Sequence, residues 1–174
     1  MFVAIEVGPG SGSPTTAPEH LTLSFLGDVA PESVDRVLAA LDRVARASRP
    51  FDLVIEGVGA FPSARHPRVV WVGATTGGAE TSELAERVAA ALVEQRILPP
   101  GGERFVPHVT LFRVRSPELH RRARALLSGT EPGPAPRALR VSEIVLKEST
   151  LSSEGAVHRT RATFRLGASG GPTA

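Results

Sequence analysis

Two short segments of the chain place a histidine and a threonine at the same spacing. His20 and Thr22 lie in the segment HLTLSF, and His108 and Thr110 lie in HVTLFR. Side chains at positions i and i+2 of a β-strand point to the same face, roughly 6.6 Å apart. Each segment therefore predicts a strand that presents an imidazole and a hydroxyl together on one face, while its leucine and valine side chains face the core.

Two imidazoles that face one phosphorus atom could catalyse a displacement at that atom, which makes His20 and His108 the candidate catalytic residues. Histidine titrates near pH 6.5, so one ring can be neutral while the other is protonated. The neutral ring would take a proton from water and the protonated ring would give one to the leaving oxygen, each contributing on the order of 10²- to 10⁴-fold in rate. We expect Thr22 and Thr110 to bind the non-bridging oxygens.

This chemistry requires neither a metal nor a cofactor. The chain contains no HExxH motif and none of the clustered acidic residues that usually hold hydrolytic metals. It also contains no cysteine, which excludes a disulfide scaffold and a thiolate metal site. We therefore expect no metal and no cofactor at the site.

Arg113 is a further candidate ligand for phosphate. It follows His108 by five residues, so in a regular strand it would point to the opposite face. It can reach the phosphate only if the strand ends, bulges or twists before it. We expect Arg113 to bind phosphate on that condition. Phe112 and Phe25 could stack on a base, and strand parity makes Phe25 the less suitable of the two.

A histidine in an apolar strand is usually a core residue, and the repeated His-x-Thr pattern is what favours catalysis here. His66, His120 and His158 lack that pattern, so we expect them to be structural or solvent-facing. We expect Trp71, in the segment VVWVG, to belong to the core.

The charge of the chain limits the class of partner. Formal net charge is +2, and 19 of the 20 basic residues are arginine, with Lys147 as the sole lysine. Arginine fits phosphate geometry, although a G+C-rich coding bias explains the same composition. The small net charge argues against a protein that coats long nucleic acid, and it permits a local basic cleft. Since the start lacks a signal peptide and no apolar run reaches about 18 residues, we expect a cytoplasmic protein without a membrane partner.

Hydrophobic periodicity and turn residues predict an α+β fold. Strands are predicted over 2–7, 20–26, 51–61, 68–75 and 108–114, and helices are predicted from Pro31, over 82–97 with Thr81 or Ser82 as the cap, and from Ser116. The segments LRVSEIVLKEST and VHRTRATFRL predict a closing antiparallel pair of strands.

Two stretches of the chain share one order of elements. Each runs from a His-x-Thr strand through a helix opened at Pro-Glu to a further strand, which indicates an internal duplication. We expect a single domain over 1–167 with two pseudo-symmetric lobes of antiparallel sheet, outer helices and a central cleft, followed by a flexible tail over 168–174.

The segments HLTLSFLG and HVTLFRVR resemble the paired signatures of the 2H phosphoesterase superfamily. Within it, the order of the flanking segments FVAIEV, GVGAFPSARHPRVVWVGA and SEIVLKESTLSSEGAVH resembles the RNA 2′,3′-cyclic phosphodiesterases, a 2′-5′ RNA ligase-like family. The resemblance implies a bilobal fold and metal-independent hydrolysis of a 2′,3′-cyclic phosphate, on RNA or a nucleotide, to a 2′-phosphate.

The resemblance also implies roles for individual residues. His20 and His108 match the catalytic pair, with the first protonating the departing 3′ oxygen and the second activating water. Thr22, Thr110 and Arg113 match the phosphate ligands. One departure is that only Gly8–Glu19 separates the first strand from the first signature, where the family has a long helix. We expect this lobe to lack that helix or to have it replaced by a partner.

Two alternative functions stay open at the level of sequence. Reversible 2′-5′ RNA ligation uses the reverse attack by a 5′-hydroxyl, so it requires the same residues. A noncatalytic module that binds an RNA end or a nucleotide would need hydrogen-bond donors but no matched acid and base. The sequence does not define the oligomeric state.

Overall fold

The computed structural model describes residues 1–8, 19–102, 104–152 and 155–167. Within these ranges the chain forms eight strands and three α-helices. Their bounds are β1 Phe2–Gly8, β2 Glu19–Phe25, α1 Val34–Ala47, β3 Phe51–Pro62, β4 Pro67–Ala74, α2 Gly78–Glu94, β5 His108–Arg113, α3 Pro117–Ser128, β6 Arg137–Val141, β7 Glu143–Ser152 and β8 Gly155–Arg165. The expected tail over 168–174 and most of the short segment before the first signature lie outside the described residues.

The strands form one antiparallel sheet in the order β6-β3-β4-β5-β2-β1-β7-β8. The α+β prediction is confirmed, and the two lobes are the four-stranded halves of this sheet. In the described ranges, the halves are joined where β2 meets β5, through the single residue pair Leu21–Val109. The two strands that carry the His-x-Thr segments are therefore the central strands.

The helices cover one face of the sheet and leave the other face open. Alternate residues of the central strands, such as Ile5, Leu21 and Val109, join residues of all three helices in a single buried cluster. Among the described residues, the opposite face holds only a small buried cluster of Phe2, Ala4 and Val145. None of the helices in the described ranges is long and apolar enough to cross a membrane.

The first and third helices follow their sequence signals. A 3₁₀ turn over Pro31–Ser33 leads into α1. The side chain of Ser116 caps α3 by accepting a hydrogen bond from the backbone N–H of Leu119 at 3.3 Å. α3 therefore begins at its Pro-Glu dipeptide, and α1 continues from the 3₁₀ turn that begins at the other one.

The predicted start and cap of α2 are wrong. The helix begins at Gly78 after Gly77, whose φ of 76° is left-handed. Thr81 and Ser82 lie in its first turns, and their hydroxyls donate to the carbonyls of Gly77 at 2.7 Å and Gly78 at 3.0 Å instead of capping the helix. The tertiary contact of Gly77 decides this boundary, because a Cβ there would lie 2.2 Å from the backbone oxygen of Asp52.

The predicted strand LRVSEIVLKEST is divided in two. β6 pairs with β3, whereas β7 pairs with β1 and with β8, so only the second part forms the predicted closing pair. Ser142 alone separates the two strands. Since consecutive Cα atoms are about 3.8 Å apart, the sheet must curve until its two halves approach each other at Ser142.

The glycine pair that opens α2 provides a test of this boundary. We predict that Gly77→Ala lowers the free energy of unfolding by roughly 1–3 kcal/mol, because the new Cβ meets the Asp52 carbonyl at a left-handed φ. The matched control Gly78→Ala should be neutral or stabilising, since its Cβ meets only the Ala74 Cβ at 3.9 Å. Urea denaturation followed by circular dichroism measures both, and equal effects would contradict the assigned boundary.

Candidate active site

The junction of β2 and β5 brings the two His-x-Thr segments together. Leu21 and Val109 are paired and both face the helical core, so their neighbours point to the open face. The antiparallel register then sets His20 across from Thr110 and Thr22 across from His108. In such a pair the two histidines are diagonal neighbours, with their Cα atoms about 7–8 Å apart.

Each of these strands has an irregular register one residue after its threonine. In β2, Thr22 pairs with Ala4 and Ser24 pairs with Val3, so Leu23 is an extra residue. The same shift in β5 leaves Leu111 as the extra residue between Thr110 and Phe112. Such bulges reverse the faces of the residues that follow. The two bulges occupy the same position in the two segments.

The bulge at Leu111 brings Arg113 to the face that carries His108. Phe112 pairs with the buried Val70 and belongs to the core, so Arg113 and its partner Val69 point to the open face. The condition that the sequence sets for Arg113 is therefore met. The Arg113 side chain is exposed and has no hydrogen bond or ion pair with the described residues.

The bulge at Leu23 overturns the expectation for the two phenylalanines. Phe25 is 70% exposed, and its ring centroid lies 6.0 Å from that of Phe2 on the open face. Phe112 is buried in the core, where the Arg122 guanidinium lies 5.3 Å from its ring centroid. Strand parity predicts the wrong face for both rings because a bulge adds one residue to each strand. Phe25 is therefore the phenylalanine that is accessible for stacking on a nucleobase.

Two aromatic side chains flank each histidine of the His-x-Thr segments. The His108 ring centroid lies 5.0 Å from that of Phe61 and 6.0 Å from that of Trp71. The His20 centroid lies 4.9 Å from that of Phe2 and 5.3 Å from that of His158. These contacts restrict the orientation of both imidazoles.

The expectation that Trp71 belongs to the core is wrong, whereas His158 packs against other rings, which agrees with a structural role. Trp71 is only partly buried and contacts His108 on the open face, while His158 contacts His20. The alternation of Trp71 with the buried Val70 and Val72 is the signal that could have identified its face. His66 and His120 are exposed, in the β3–β4 turn and on α3.

Two glycines accommodate the Trp71 indole beside His108. A Cβ at Gly59, the cross-strand partner of Trp71, would lie 2.2 Å from the Cη2 atom of that ring. A Cβ at Gly73, the partner of His108, would lie 3.3 Å from Cζ3. The absence of a side chain at Gly59 is therefore required for this packing.

A backbone carbonyl orients the His108 imidazole. Nδ1 of His108 lies 2.8 Å from the carbonyl oxygen of Val106. A carbonyl can only accept, so Nδ1 carries the proton and donates it in this hydrogen bond. In the neutral ring, Nε2 then holds the lone pair, as a general base requires.

An ion pair lies beside His20. The pairing of β1 with β2 places Glu6 opposite His20, and the Glu6 carboxylate accepts a hydrogen bond from Nζ of Lys147. Lys147 is only 5% exposed. Burial first, and the charge of Lys147 second, lower the pKa of the neighbouring His158 below its usual value. The described ranges contain no group of three or more histidine, aspartate or glutamate residues that could hold a metal ion.

The glycine beneath Trp71 offers a test of the aromatic packing at His108. We predict that Gly59→Ala displaces the indole and shifts the fluorescence of Trp71, which is the only tryptophan. Gly73→Ala should produce a smaller shift, because its Cβ is 3.3 Å from the ring rather than 2.2 Å. Emission spectra of the folded variants measure the two shifts, and an unchanged spectrum for Gly59→Ala would contradict the packing of Trp71 against Gly59.

Comparison with known proteins identifies the family. The family model described as "2′-5′ RNA ligase superfamily" matches residues 10–150. A protein of Aquifex aeolicus named RNA 2′,3′-cyclic phosphodiesterase is 33% identical over 154 residues, which cover 85% of this chain and 78% of that protein. A protein of the same name from Methanothermobacter thermautotrophicus is 36% identical over 148 residues, covering 84% and 78%.

Solved structures share the fold. The Thermus thermophilus protein TT0787 superposes with a TM-score of 0.72 at 27% identity, covering 97% of this chain and 98% of that one. E. coli LigT complexed with 3′-AMP superposes with a TM-score of 0.71 at 21% identity, covering 95% and 96%. As the resemblance of the two His-x-Thr segments predicts, the chain belongs to the 2′-5′ RNA ligase superfamily.

Proposed function

We propose that this protein hydrolyses 2′,3′-cyclic phosphate ends of RNA to 2′-phosphates without a metal, by general acid–base catalysis from His20 and His108. The observation that carries the proposal is the convergence of two His-x-Thr pairs on one open face at the β2–β5 junction. The kinship with proteins named RNA 2′,3′-cyclic phosphodiesterase supports a phosphoesterase activity.

His108 acts as the base and His20 as the acid. Because the Val106 carbonyl fixes the proton of neutral His108 on Nδ1, Nε2 is available to take a proton from water. The water oxygen forms a bond to phosphorus, the bond from phosphorus to the 3′ oxygen breaks, and protonated His20 gives its proton to that oxygen. His108 ends protonated and His20 neutral, and exchange with solvent restores both.

The threonines and Arg113 bind the phosphate. Neither threonine hydroxyl has a hydrogen bond within the described part of the chain, so both can donate to non-bridging oxygens. Arg113 is exposed on the same face and can pair with the same oxygens. These donors stabilise the charge that develops as water attacks.

The two equivalent bulges orient the substrate. The residue two places after the bulge is Arg113 in one segment and Phe25 in the other. An arginine attracts an anion, whereas an exposed phenylalanine offers a stacking face to a base. We infer that the phosphate lies toward Arg113 and that a base stacks on Phe25.

A basic region favours RNA over a mononucleotide as the substrate. Arg65, Arg68, Arg113 and Arg115 lie at the end of β4 and β5 formed by the β3–β4 turn, and all four are exposed. The segments 57–79 and 104–117 contain no acidic residue. Within the described ranges these four side chains form no ion pair. They therefore provide positive charge for the phosphates of an adjoining strand.

Several arginines of the helices differ in this respect. Arg43, Arg46 and Arg87 each pair with a carboxylate, and Arg36 donates to a backbone oxygen. Exposed arginines that form no ion pair with the described residues also occur elsewhere, at Arg49, Arg96, Arg124 and Arg165, so it is the grouping of four of them beside the site that matters.

The catalytic roles predict different responses to the leaving group. With a 2′,3′-cyclic nucleotide and EDTA, we expect His20→Ala and His108→Ala each to lower kcat on the order of 10²- to 10⁴-fold. With a nitrophenyl phosphodiester, whose leaving group needs no proton, the loss for His20→Ala should largely disappear while that for His108→Ala persists. Initial rates measure both, with the exposed His120→Ala as control.

Other outcomes of this experiment favour the alternatives. Turnover that survives either substitution nearly intact would contradict the catalytic assignment, and loss of activity in EDTA would contradict a metal-independent reaction. Binding of the cyclic nucleotide without turnover would support a noncatalytic module. Joining of a 5′-hydroxyl RNA to the cyclic end, by the same residues in reverse, would support a ligase.

The basic region predicts a dependence on RNA length. We expect the combined change Arg65→Gln, Arg68→Gln and Arg115→Gln to raise KM for an oligoribonucleotide with a 2′,3′-cyclic end and to leave KM for the cyclic mononucleotide unchanged. The matched control removes three exposed arginines elsewhere, by Arg49→Gln, Arg96→Gln and Arg165→Gln. Equal KM values for the two triple variants at low salt would show that this region does not bind the strand.

A further inference from the structure

The rings of His20, His158 and Phe2 form a cluster of three. His158, on β8, meets His20 edge to face with centroids 5.3 Å apart and an interplanar angle of 82°. Phe2 meets His158 in a similar way at 5.0 Å and 84°, and it also contacts His20. Because each ring touches the other two, His158 restricts the plane in which the His20 imidazole can lie.

The surroundings of His158 favour its uncharged ring. Its Nδ1 atom is buried and has no hydrogen-bond partner among the described residues. Burial is the larger cause of its lowered pKa, and the charge of Lys147 is the smaller. A protonated ring at this position would face both a buried ammonium group and, during catalysis, a protonated His20.

The Glu6–Lys147 pair balances the charge beside these rings. Lys147 lies on β7, between the strand of Phe2 and the strand of His158, and its ammonium group pairs with Glu6. Glu6 in turn lies opposite His20 on the neighbouring strand. His20 therefore faces a neutral imidazole and a compensated ion pair rather than a single unbalanced charge.

We propose that His158 is a positioning residue, whose uncharged ring lies edge-on to the His20 imidazole and holds it in the reactive orientation. The Glu6–Lys147 pair ensures that His20 is the only imidazole of this cluster that changes protonation during turnover. The inference rests on the proposed function for the role of His20.

The described charged groups beside the cluster lie on three strands. β1 contributes Glu6, β2 contributes His20 and β7 contributes Lys147, whereas the next residue of β7, Glu148, pairs in register with Arg159 and so points to the opposite face. Glu148 is itself 3.5 Å from Arg161 of β8 in an ion pair. The segment 9–18, which connects β1 to β2, contains no ionisable side chain.

Ring replacement separates positioning from proton transfer. Since misplacement of a catalytic group is costly, we expect His158→Ala to lower kcat for the cyclic nucleotide about tenfold with little change in KM. His158→Phe supplies a neutral flat ring and should restore most of kcat. Equal losses for the two variants, or no loss for His158→Ala, would overturn the proposal. Thermal unfolding of each variant ensures that rates refer to folded protein.

Charge replacement tests the ion pair. Lys147→Met leaves the Glu6 carboxylate unbalanced beside His20, which favours the protonated ring. The alkaline limb of the kcat/KM profile should therefore move to higher pH. The double change Glu6→Gln and Lys147→Met removes both charges and should return the limb toward its original position. If the alkaline limb of the kcat/KM profile stays at the wild-type pH in Lys147→Met, the proposed role of the Glu6–Lys147 pair is overturned.

A measurement independent of activity separates this inference from the proposed function. Histidine ¹⁵N NMR follows the titration of His158 in the wild-type protein and in Lys147→Met. We expect His158 to titrate below the ordinary pH in the wild type and at a higher pH in the variant. If wild-type protein fails to turn over cyclic phosphates, the proposed function fails. An ordinary, unshifted His158 titration would instead defeat the present inference.

Discussion

The pairing of Leu21 with Val109 is the contact on which the site depends. It is the single register pair between β2 and β5 in the described part of the chain, and through it two four-stranded halves become one sheet. Both side chains are almost fully buried against the helices. Their burial fixes the face of each neighbouring residue, because a slip of one residue would turn every imidazole and hydroxyl of that strand into the core. Apolar packing on one face thus specifies the polar chemistry on the other.

The bulges make two similar strands chemically different. Leu23 and Leu111 occupy equivalent positions, and each returns the second residue beyond it to the open face. One segment then presents Phe25 and the other presents Arg113. A duplicated unit would by itself create a symmetric site, whereas the proposed substrate, a cyclic phosphate on a nucleoside, has an anionic end and an apolar base. The substitution of one residue per segment is sufficient to match that asymmetry.

The sequence predicts the local features of the site better than its surroundings. Alternation of polar and apolar residues identifies the faces of His20 and His108, because a period of two survives in any strand with one buried face. The bulges carry no such signal, since Leu23 and Leu111 are apolar residues that a regular strand would also direct to the core. The contact of His158 with His20 depends on which strands become neighbours, and nothing near His158 in the chain records that. Likewise, Ser142 is not a turn signal, and the division of β6 from β7 arises from pairing with β3 and β1.

The strand order also has a consequence for biosynthesis. One half of the sheet, β3 to β6, is continuous in sequence, whereas the other half joins β1 and β2 to β7 and β8. On a ribosome, the continuous half can complete its pairing while the first hairpin still lacks β7. The final strands then close the second half and bring His158 against His20 as a late event. Long-range pairing of this kind slows folding, so the groups of the candidate site become organised only after β8 has emerged.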